Sequence, residues 1–350
     1  MDKKIAVLAP GAIGGIIGVQ STRAGHDVVL IDQWPAHVDA MKAHGLRVTI
    51  GPRENPEADH VVPVRAYHLH EVCTFSQQFD IIFLTCKSYD TVWMVQFIEP
   101  YLKPDGVLVS AQNSLNDEWI APIIGYTRSI GCVLSAGGWL LEPGHVWRDK
   151  SMEFPNAYTL GELHGEITPR LEDLATILEN AGNTRVTTNL WGGRWSKLMY
   201  NSMMSGLAGL AGKRAPELMD APNYQHACLE LGKEAMQVGR ALGYGMEPIF
   251  HLTAEDFLGS PDEVCESLMW ASARGTSSGT TNMVQQDLRR GRPTEIGSYL
   301  NGLVIRKGRE ANVPTPMNDA VTELFLRLEC GELRQDVSNF ELLPSAPAGQ

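Results

Sequence analysis

The chain has no paired cysteines: the six it carries, at positions 73, 86, 132, 228, 265 and 330, are scattered, and no two form a CxxC pair. That spacing excludes a zinc ribbon, a thioredoxin-type centre and a dense disulfide framework, and a reducing cytosol is the expected compartment. No uninterrupted apolar run approaches the about 20 residues that a membrane span needs. Lys3 and Lys4 followed by the apolar residues 5 to 8 resemble the start of a signal peptide, but Pro10, Gly11, Gly14 and Gly15 interrupt the run. A buried strand entering a glycine-rich turn accounts for the same residues, so neither secretion nor membrane insertion is expected. Positive charge is also short: 29 Lys and Arg against 41 Asp and Glu leave a net charge of -12. There is thus no global basic field to gather nucleic acid or anionic lipid. Internal repeats and low-complexity blocks are missing as well.

What is present is average globular usage, 43% apolar and 20% charged over 350 residues, a length that suggests two domains. Short β-branched apolar runs at 5–8, 28–31, 81–85, 107–110 and 130–135 alternate with helical stretches. That alternation predicts an α/β, Rossmann-type, doubly wound parallel sheet. Residues 136–162, rich in Gly, Pro and Trp, read as irregular or hairpin structure, and 169–181 as one amphipathic helix. Beyond Asn189 the β-branched runs stop, and segments 194–211, 223–242 and 280–290 have helical composition. The expected organisation is a dinucleotide-binding domain over 1–188, an all-α domain over 189–343 and a flexible tail over 344–350.

The first strand runs into Ala9-Pro10-Gly11-Ala12-Ile13-Gly14, a dinucleotide fingerprint whose first glycine has become Ala9. Gly11 would let the backbone approach a pyrophosphate, Gly14 would let the helix pack on the sheet, and the helix N-terminus would supply N–H groups to the anion. The bland alternative is a tight strand-helix turn with no ligand. The position, between a strand and a helix at the start of a βαβ unit, is the context a true fingerprint requires. Asp32 ends the second strand 21 residues after Gly11, where a carboxylate can accept from ribose hydroxyls and repel a 2'-phosphate. Gln33 and Trp34 follow it, and the next base is Lys42, so NAD is expected, with NADP as the alternative.

In the second half, Lys197, Asn201 and Ser205 recur every four residues within an otherwise apolar segment and fall within an arc of about 80° on a helix. Taken alone, Lys197 reads as a surface lysine with a snorkelling stem. The shared stripe points instead to a polar site, in which an ammonium can act as general acid toward a carbonyl. Glu295, after Pro293 and Thr294, taken alone reads as a helix cap. Lys87 and Asn113 lie just beyond strands of the first domain, where doubly wound sheets bind ligands. His68 and His70 invite a metal reading, but no second ligand pair accompanies them.

These residues, in this order, resemble the ketopantoate reductase family. The resemblance rests on the N-terminal turn, Thr85-Cys86-Lys87-Ser88-Tyr89, Gln112-Asn113, Arg194-Trp195-Ser196-Lys197-Leu198 with Asn201, the segment from Gln286-Asp287 to Thr294-Glu295-Ile296, Asn301-Gly302, and Val313-Pro314-Thr315-Pro316-Met317-Asn318. It implies hydride transfer between a nicotinamide and C2 of a 2-oxo or 2-hydroxy acid. Lys197 would be the general acid. Asn201 and Glu295 would hold substrate polar groups, with Asn113 and Lys87 near the nicotinamide and its ribose. It also implies substrate in a cleft between the domains and dimerisation through the helical one. The chain departs from the pattern at Ser205, where pantoate-forming members commonly carry Asn, at Met283, where a serine is expected with Asn282 beside it, and at Ser114, which replaces a glycine. Those departures, with Asp32, favour a branch similar to the NAD-dependent D-mandelate or D-2-hydroxyacid dehydrogenases. There the loop from Gly137 to Leu141, with Trp147 and Arg148, would contact a bulky carboxylate. The alternatives are ketopantoate reductase proper with NADPH and a catalytically silent NAD sensor.

Overall fold

The computed structural model describes residues 3–52, 54–218, 220–221, 223–248 and 282–345. Residues 280 and 281 of the third expected helix and residues 346–350 of the expected tail lie outside the described residues. The chain divides into two compact units, Met1–Leu190 and Trp191–Gln350.

The first unit begins with β1 (Lys4–Leu8), α1 (Ala12–Arg23), β2 (Asp27–Asp32) and α2 (Pro35–His44). There follow β3 (Leu46–Ile50), β4 (Ala58–Val62), β5 (Arg65–His68), β6 (Phe79–Leu84), α3 (Thr91–Ile98), β7 (Leu102–Ser110), α4 (Asp117–Ile124) and β8 (Ser129–Leu134). Its main sheet has eight strands, and six of them, in the order β5-β2-β1-β6-β7-β8, are parallel. This is the doubly wound order in which the chain reverses direction beside β1, the place where such sheets hold ligands beyond the strand ends. Successive residues of β1 feed opposite cores: Ile5 and Val7 enter one apolar cluster, Ala6 and Leu8 the other. A strand buried on both faces needs no polar alternation, which is why these runs are continuously apolar.

The stretch read as irregular or hairpin structure does hold a hairpin, and one further strand of the main sheet. It contains β9 (Trp139–Glu142), β10 (His145–Arg148) and β11 (Tyr158–Glu162); β11 extends the main sheet antiparallel to β8, and β12 (Thr184–Val186) follows α5 (Pro169–Glu179). The hairpin β9–β10 joins β3 and β4 in a second, four-stranded sheet ordered β4-β3-β10-β9. This sheet corrects the expected role of Trp147 and Arg148. Trp147 is 1% exposed and donates from Nε1 to the Gly51 carbonyl. Arg148 is wholly buried, its guanidinium spent on the carbonyls of Lys150, Ala181 and Ser151. A cation used up on three backbone carbonyls is a structural clasp, not a substrate contact.

The second unit is helical among the described residues: α6 (Leu190–Ala211), α7 (Tyr224–Ala241), α8 (Met283–Arg289), α9 (Ile296–Tyr299), α10 (Asn301–Ala311) and α11 (Pro316–Glu329). No helix among the described residues is long and apolar enough to cross a membrane. The centre is α6, whose residues 201–211 are all buried. It packs closely on α7 because α7 presents glycines to large side chains, Gly232 to Met203 and Gly239 to Trp195. Trp195 also donates from Nε1 to the Ala235 carbonyl at 2.9 Å. Buried Glu234 of α7 accepts from the backbone N–H groups of Met317 and Asn318 and from the Asn318 amide, which satisfies the start of α11.

A methyl at residue 239 would overlap the Trp195 indole. Gly239→Ala is therefore expected to lower unfolding free energy in urea by about 1–3 kcal/mol, the usual cost of overpacking.

Candidate active site

The end of β1 is fixed before any ligand arrives. The Ala9 N–H donates to Ile31 O at 2.8 Å, and the Thr85 hydroxyl lies 3.0 Å from Leu8 O and 2.8 Å from Ala9 O, so β2 and the residue after β6 hold the turn from both sides. Ala9 has φ +59°, in the left-handed region. The residue that replaced the first fingerprint glycine thus keeps a glycine-like backbone, at a cost of about 1 kcal/mol or somewhat more. A side chain at Gly14 would overlap Thr85 Oγ1, so α1 approaches the sheet as the fingerprint requires. At Gly11, the residue preceding α1, an added Cβ meets nothing nearer than Ala9 O at 3.9 Å. That open cradle, beside the first-turn N–H groups of α1, suits a pyrophosphate.

Ala12 opens α1, and Ile13 is partly buried against the core. Pro10 has a partner that the sequence did not suggest. The fully buried His37 accepts at Nδ1 from the Gly144 N–H (2.9 Å), so its ring proton sits on Nε2 and is donated to the Pro10 carbonyl (3.1 Å). Asp32 is 7% exposed at the end of β2, with Oδ1 accepting from the Trp34 N–H. Gln33 hydrogen-bonds Asp90. Lys42, the nearest base in sequence, is paired with Glu71 at 2.6 Å.

Lys87 and Asn113 emerge, partly buried, from the neighbouring ends of β6 and β7. Ser114 has φ +71°, so here too a residue standing at a family glycine position keeps the left-handed backbone. Thr91 and Asn116, behind these two loops, were not singled out from sequence; both are fully buried and hydrogen-bonded to each other. Nothing but their nearness to Lys87 and Asn113 could have marked them. His68 and His70 stack on each other and His68 meets Asp39. Among the described residues no group of three metal-ligating side chains forms.

In the helical unit, Lys197, Asn201 and Ser205 share one face of α6, with Asn201 and Ser205 buried. The Lys197 ammonium lies 4.5 Å from the centre of the Tyr200 ring, and none of the described carboxylates is within ion-pair distance. Burial pushes it down from the usual lysine range to about 8. Glu295 is 4% exposed just before α9, and its side chain does not cap that helix. Ile296 beside it lies 3.7 Å from the site of a Gly206 Cβ, which brings this corner to α6 one residue beyond Ser205. Asn282 also has a role in the local fold. Its Oδ1 caps α8 at the Gln285 N–H, and its Nδ2 donates to Ser205 O.

Comparisons with known proteins place the chain in a family. The family described as Ketopantoate reductase PanE/ApbA matches residues 5–165, and Ketopantoate reductase PanE/ApbA C terminal matches residues 189–329. The chain is 28% identical to a 2-dehydropantoate 2-reductase of Pyrococcus horikoshii over 90% of its own length and 94% of the relative's. It is 25% identical to that of Archaeoglobus fulgidus over 94% and 99%. Among solved structures it is similar in fold to D-mandelate dehydrogenase with NADH and anilino(oxo)acetate, with a TM-score of 0.78 and 23% identity over 94% and 98% of the two chains.

Loss of the cap and the Ser205 contact in Asn282→Ala is expected to cost about 1 kcal/mol of stability in urea unfolding. The cofactor affinity of the variant, titrated by fluorescence, should stay at the wild-type value.

Proposed function

The chain belongs to the ketopantoate reductase family, and from that membership we propose that it reduces a 2-oxo acid to the 2-hydroxy acid with a nicotinamide cofactor. Ketopantoate is the substrate that the names of its relatives favour. The carrying observation is Lys197: a partly buried ammonium, lowered to about 8, on the polar stripe of an otherwise apolar helix.

The residues of the first unit fit a dinucleotide. The open turn at Gly11 and the start of α1 would hold the pyrophosphate, Asp32 the adenosine ribose, and Lys87 and Asn113 the nicotinamide end. When bound, the reduced nicotinamide supplies a hydride to the substrate carbonyl carbon. Lys197 donates its proton to the carbonyl oxygen as negative charge develops there, and takes a proton back from solvent after product leaves. Burial favours this step because it destabilises the charged form, so the proton leaves more readily than from a solvated lysine. Asn201, Ser205 and Glu295 would hold the substrate's polar groups. A silent sensor would have no use for a depressed lysine and a buried glutamate on neighbouring elements, which weighs against that alternative.

A second reading, an NAD-linked dehydrogenase for a bulkier D-2-hydroxy acid, is favoured by Asp32. Its buried carboxylate ends β2, no base follows closely, and Lys42 is already paired, so the adenosine end suits NAD(H) better than a 2'-phosphate. The substrate side chain and the cofactor phosphate are separate questions. One panel of 2-oxo acids assayed with NADH and with NADPH answers both. Efficient reduction of ketopantoate supports the first reading, whereas strong preference for aromatic or branched 2-oxo acids supports the second. Equal or better turnover with NADPH would remove the argument from Asp32.

Lys197→Ala should lower kcat by about 10²-fold or more while leaving the Kd for the reduced cofactor unchanged. Near-wild-type turnover by a folded variant would show that the lysine is structural. The pH dependence has a definite sign. Reduction needs the protonated lysine, so its kcat/KM should fall as pH rises through about 8, and oxidation of the hydroxy acid should rise over the same range. A reductive profile flat from pH 7 to pH 9.5, as an order-of-magnitude window around that value, would count against Lys197 as the acid.

A further inference from the structure

Beneath the loops that carry Lys87 and Asn113 runs a chain of buried polar groups whose donors and acceptors all point one way. The Ser110 hydroxyl donates to Gln112 Oε1 at 3.1 Å. Gln112 Nε2 donates to the Thr91 hydroxyl at 2.8 Å and to the Cys86 carbonyl at 3.1 Å. Thr91 in turn donates to Asn116 Oδ1 at 3.1 Å. Asn116 Nδ2 closes the chain on the Ser88 hydroxyl at 3.0 Å and the Asn113 carbonyl at 2.6 Å. Ser88, Thr91, Ser110, Gln112 and Asn116 are each 3% exposed or less.

We propose that the Thr91–Asn116 pair positions the nicotinamide-side loops, fixing the backbone at Lys87 and Asn113 relative to one another. The inference rests on the cofactor reading given above. Three features carry it. First, the network touches both loops at the backbone or next to the functional residue: Cys86 O and Ser88 flank Lys87, and Asn113 O belongs to Asn113 itself. Second, the two loops follow adjacent parallel strands, yet the strand ladder ends at the Leu84–Ser110 pair, so beyond it something other than the sheet must set their separation. Third, Thr91 is the one-atom link. Its hydroxyl both accepts from Gln112 and donates to Asn116, a role that an isosteric valine cannot fill and a serine can. The left-handed Ser114, which lies between Asn113 and Asn116, turns the chain back so that Asn116 can reach the Asn113 carbonyl. Thr91 and Asn116 are positioning residues: both are fully buried and act through the loops they hold.

The test compares two ligands that share the adenosine and pyrophosphate but differ in the nicotinamide: NADH and ADP-ribose, or their 2'-phosphorylated forms if NADPH binds more tightly. In Thr91→Val the affinity for NADH should fall about tenfold relative to that for ADP-ribose, and kcat should fall by more than KM changes, as expected when a reacting group is misplaced rather than lost. Thr91→Ser should restore both, and Asn116→Ala should reproduce the valine effect if it folds. A folded Thr91→Val protein with a wild-type affinity ratio and kcat would overturn the inference, whatever Asn116→Ala does. Equal weakening of both ligands would also overturn it, by showing a general loss of structure. Wild-type protein that binds neither NADH nor NADPH would instead overturn the cofactor reading, and this inference with it, before any variant is compared.

Discussion

The close approach of α1 to the strands beneath it is the constraint from which the cofactor end follows. Thr85 occupies the space that a side chain at Gly14 would need, and the same hydroxyl binds the carbonyls that end β1. One residue after β6 therefore sets both the depth at which α1 sits and the direction in which β1 lets go of the sheet. From that depth come the aim of the first-turn N–H groups and the open space over Gly11. His37 completes the restraint from the other side by holding Pro10 O through a tautomer that Gly144 dictates. The proposed anion site is made of backbone, and backbone cannot be moved by changing rotamers. Its geometry depends on these few buried contacts.

The helical unit solves a different problem, that of polar groups in a largely apolar interior. Most of them are matched. Asn301 donates to Ser202 O and Asn318, Asn318 donates to Glu234, and Glu234 receives the N–H groups that open α11. Burial still raises the Glu234 carboxyl above the ordinary range, against the lowering effect of those donors. Such a chain joins α6, α7, α10 and α11 and leaves each donor with an acceptor, as a stable interior demands. Lys197 stands apart from it. Its shift is a cost of burial alone, with no carboxylate to offset it, the environment that the proposed proton transfer would use.

What could be read from the sequence follows the strength of the local signal. Five of the six parallel strands were legible because burial on both faces makes them continuously apolar, whereas β5, a partly exposed edge strand with Arg65 and His68 in it, was not; α6 and α7 were legible because their composition changes abruptly after Asn189. The second sheet was not. Residues 46–50 and 58–62 mix buried and exposed positions, and the parallel pairing of β3 with β10 joins segments about a hundred residues apart, a distance no periodicity reports. The same blindness misassigned Trp147 and Arg148. In sequence they look like an exposed aromatic and a spare cation, whereas only the fold shows the carbonyls of Gly51, Lys150, Ser151 and Ala181 that absorb them. Asn282 illustrates a finer limit. Its position next to Met283 marked it as a pocket residue, while its capping of α8, the commonest role of an asparagine ahead of a helix, went unread.

The departures from the family pattern therefore carry unequal weight. Ala9 and Ser114 stand where glycines are usual, yet both hold positive φ, so the backbone those glycines serve is kept and only a small side chain is added. A replacement that preserves the conformation says little about the ligand that the conformation serves. Met283 and Ser205 change side-chain chemistry instead, on elements that neighbour each other in the helical unit through the Asn282–Ser205 contact. A hydroxyl or amide removed from a pocket takes away a hydrogen bond that discriminates strongly between substrates, whereas added apolar surface discriminates weakly. The first pair of changes is thus compatible with dinucleotide binding in its usual form. On the proposed function, a departure in specificity would be sought at the second pair, where α6 and the start of α8 meet.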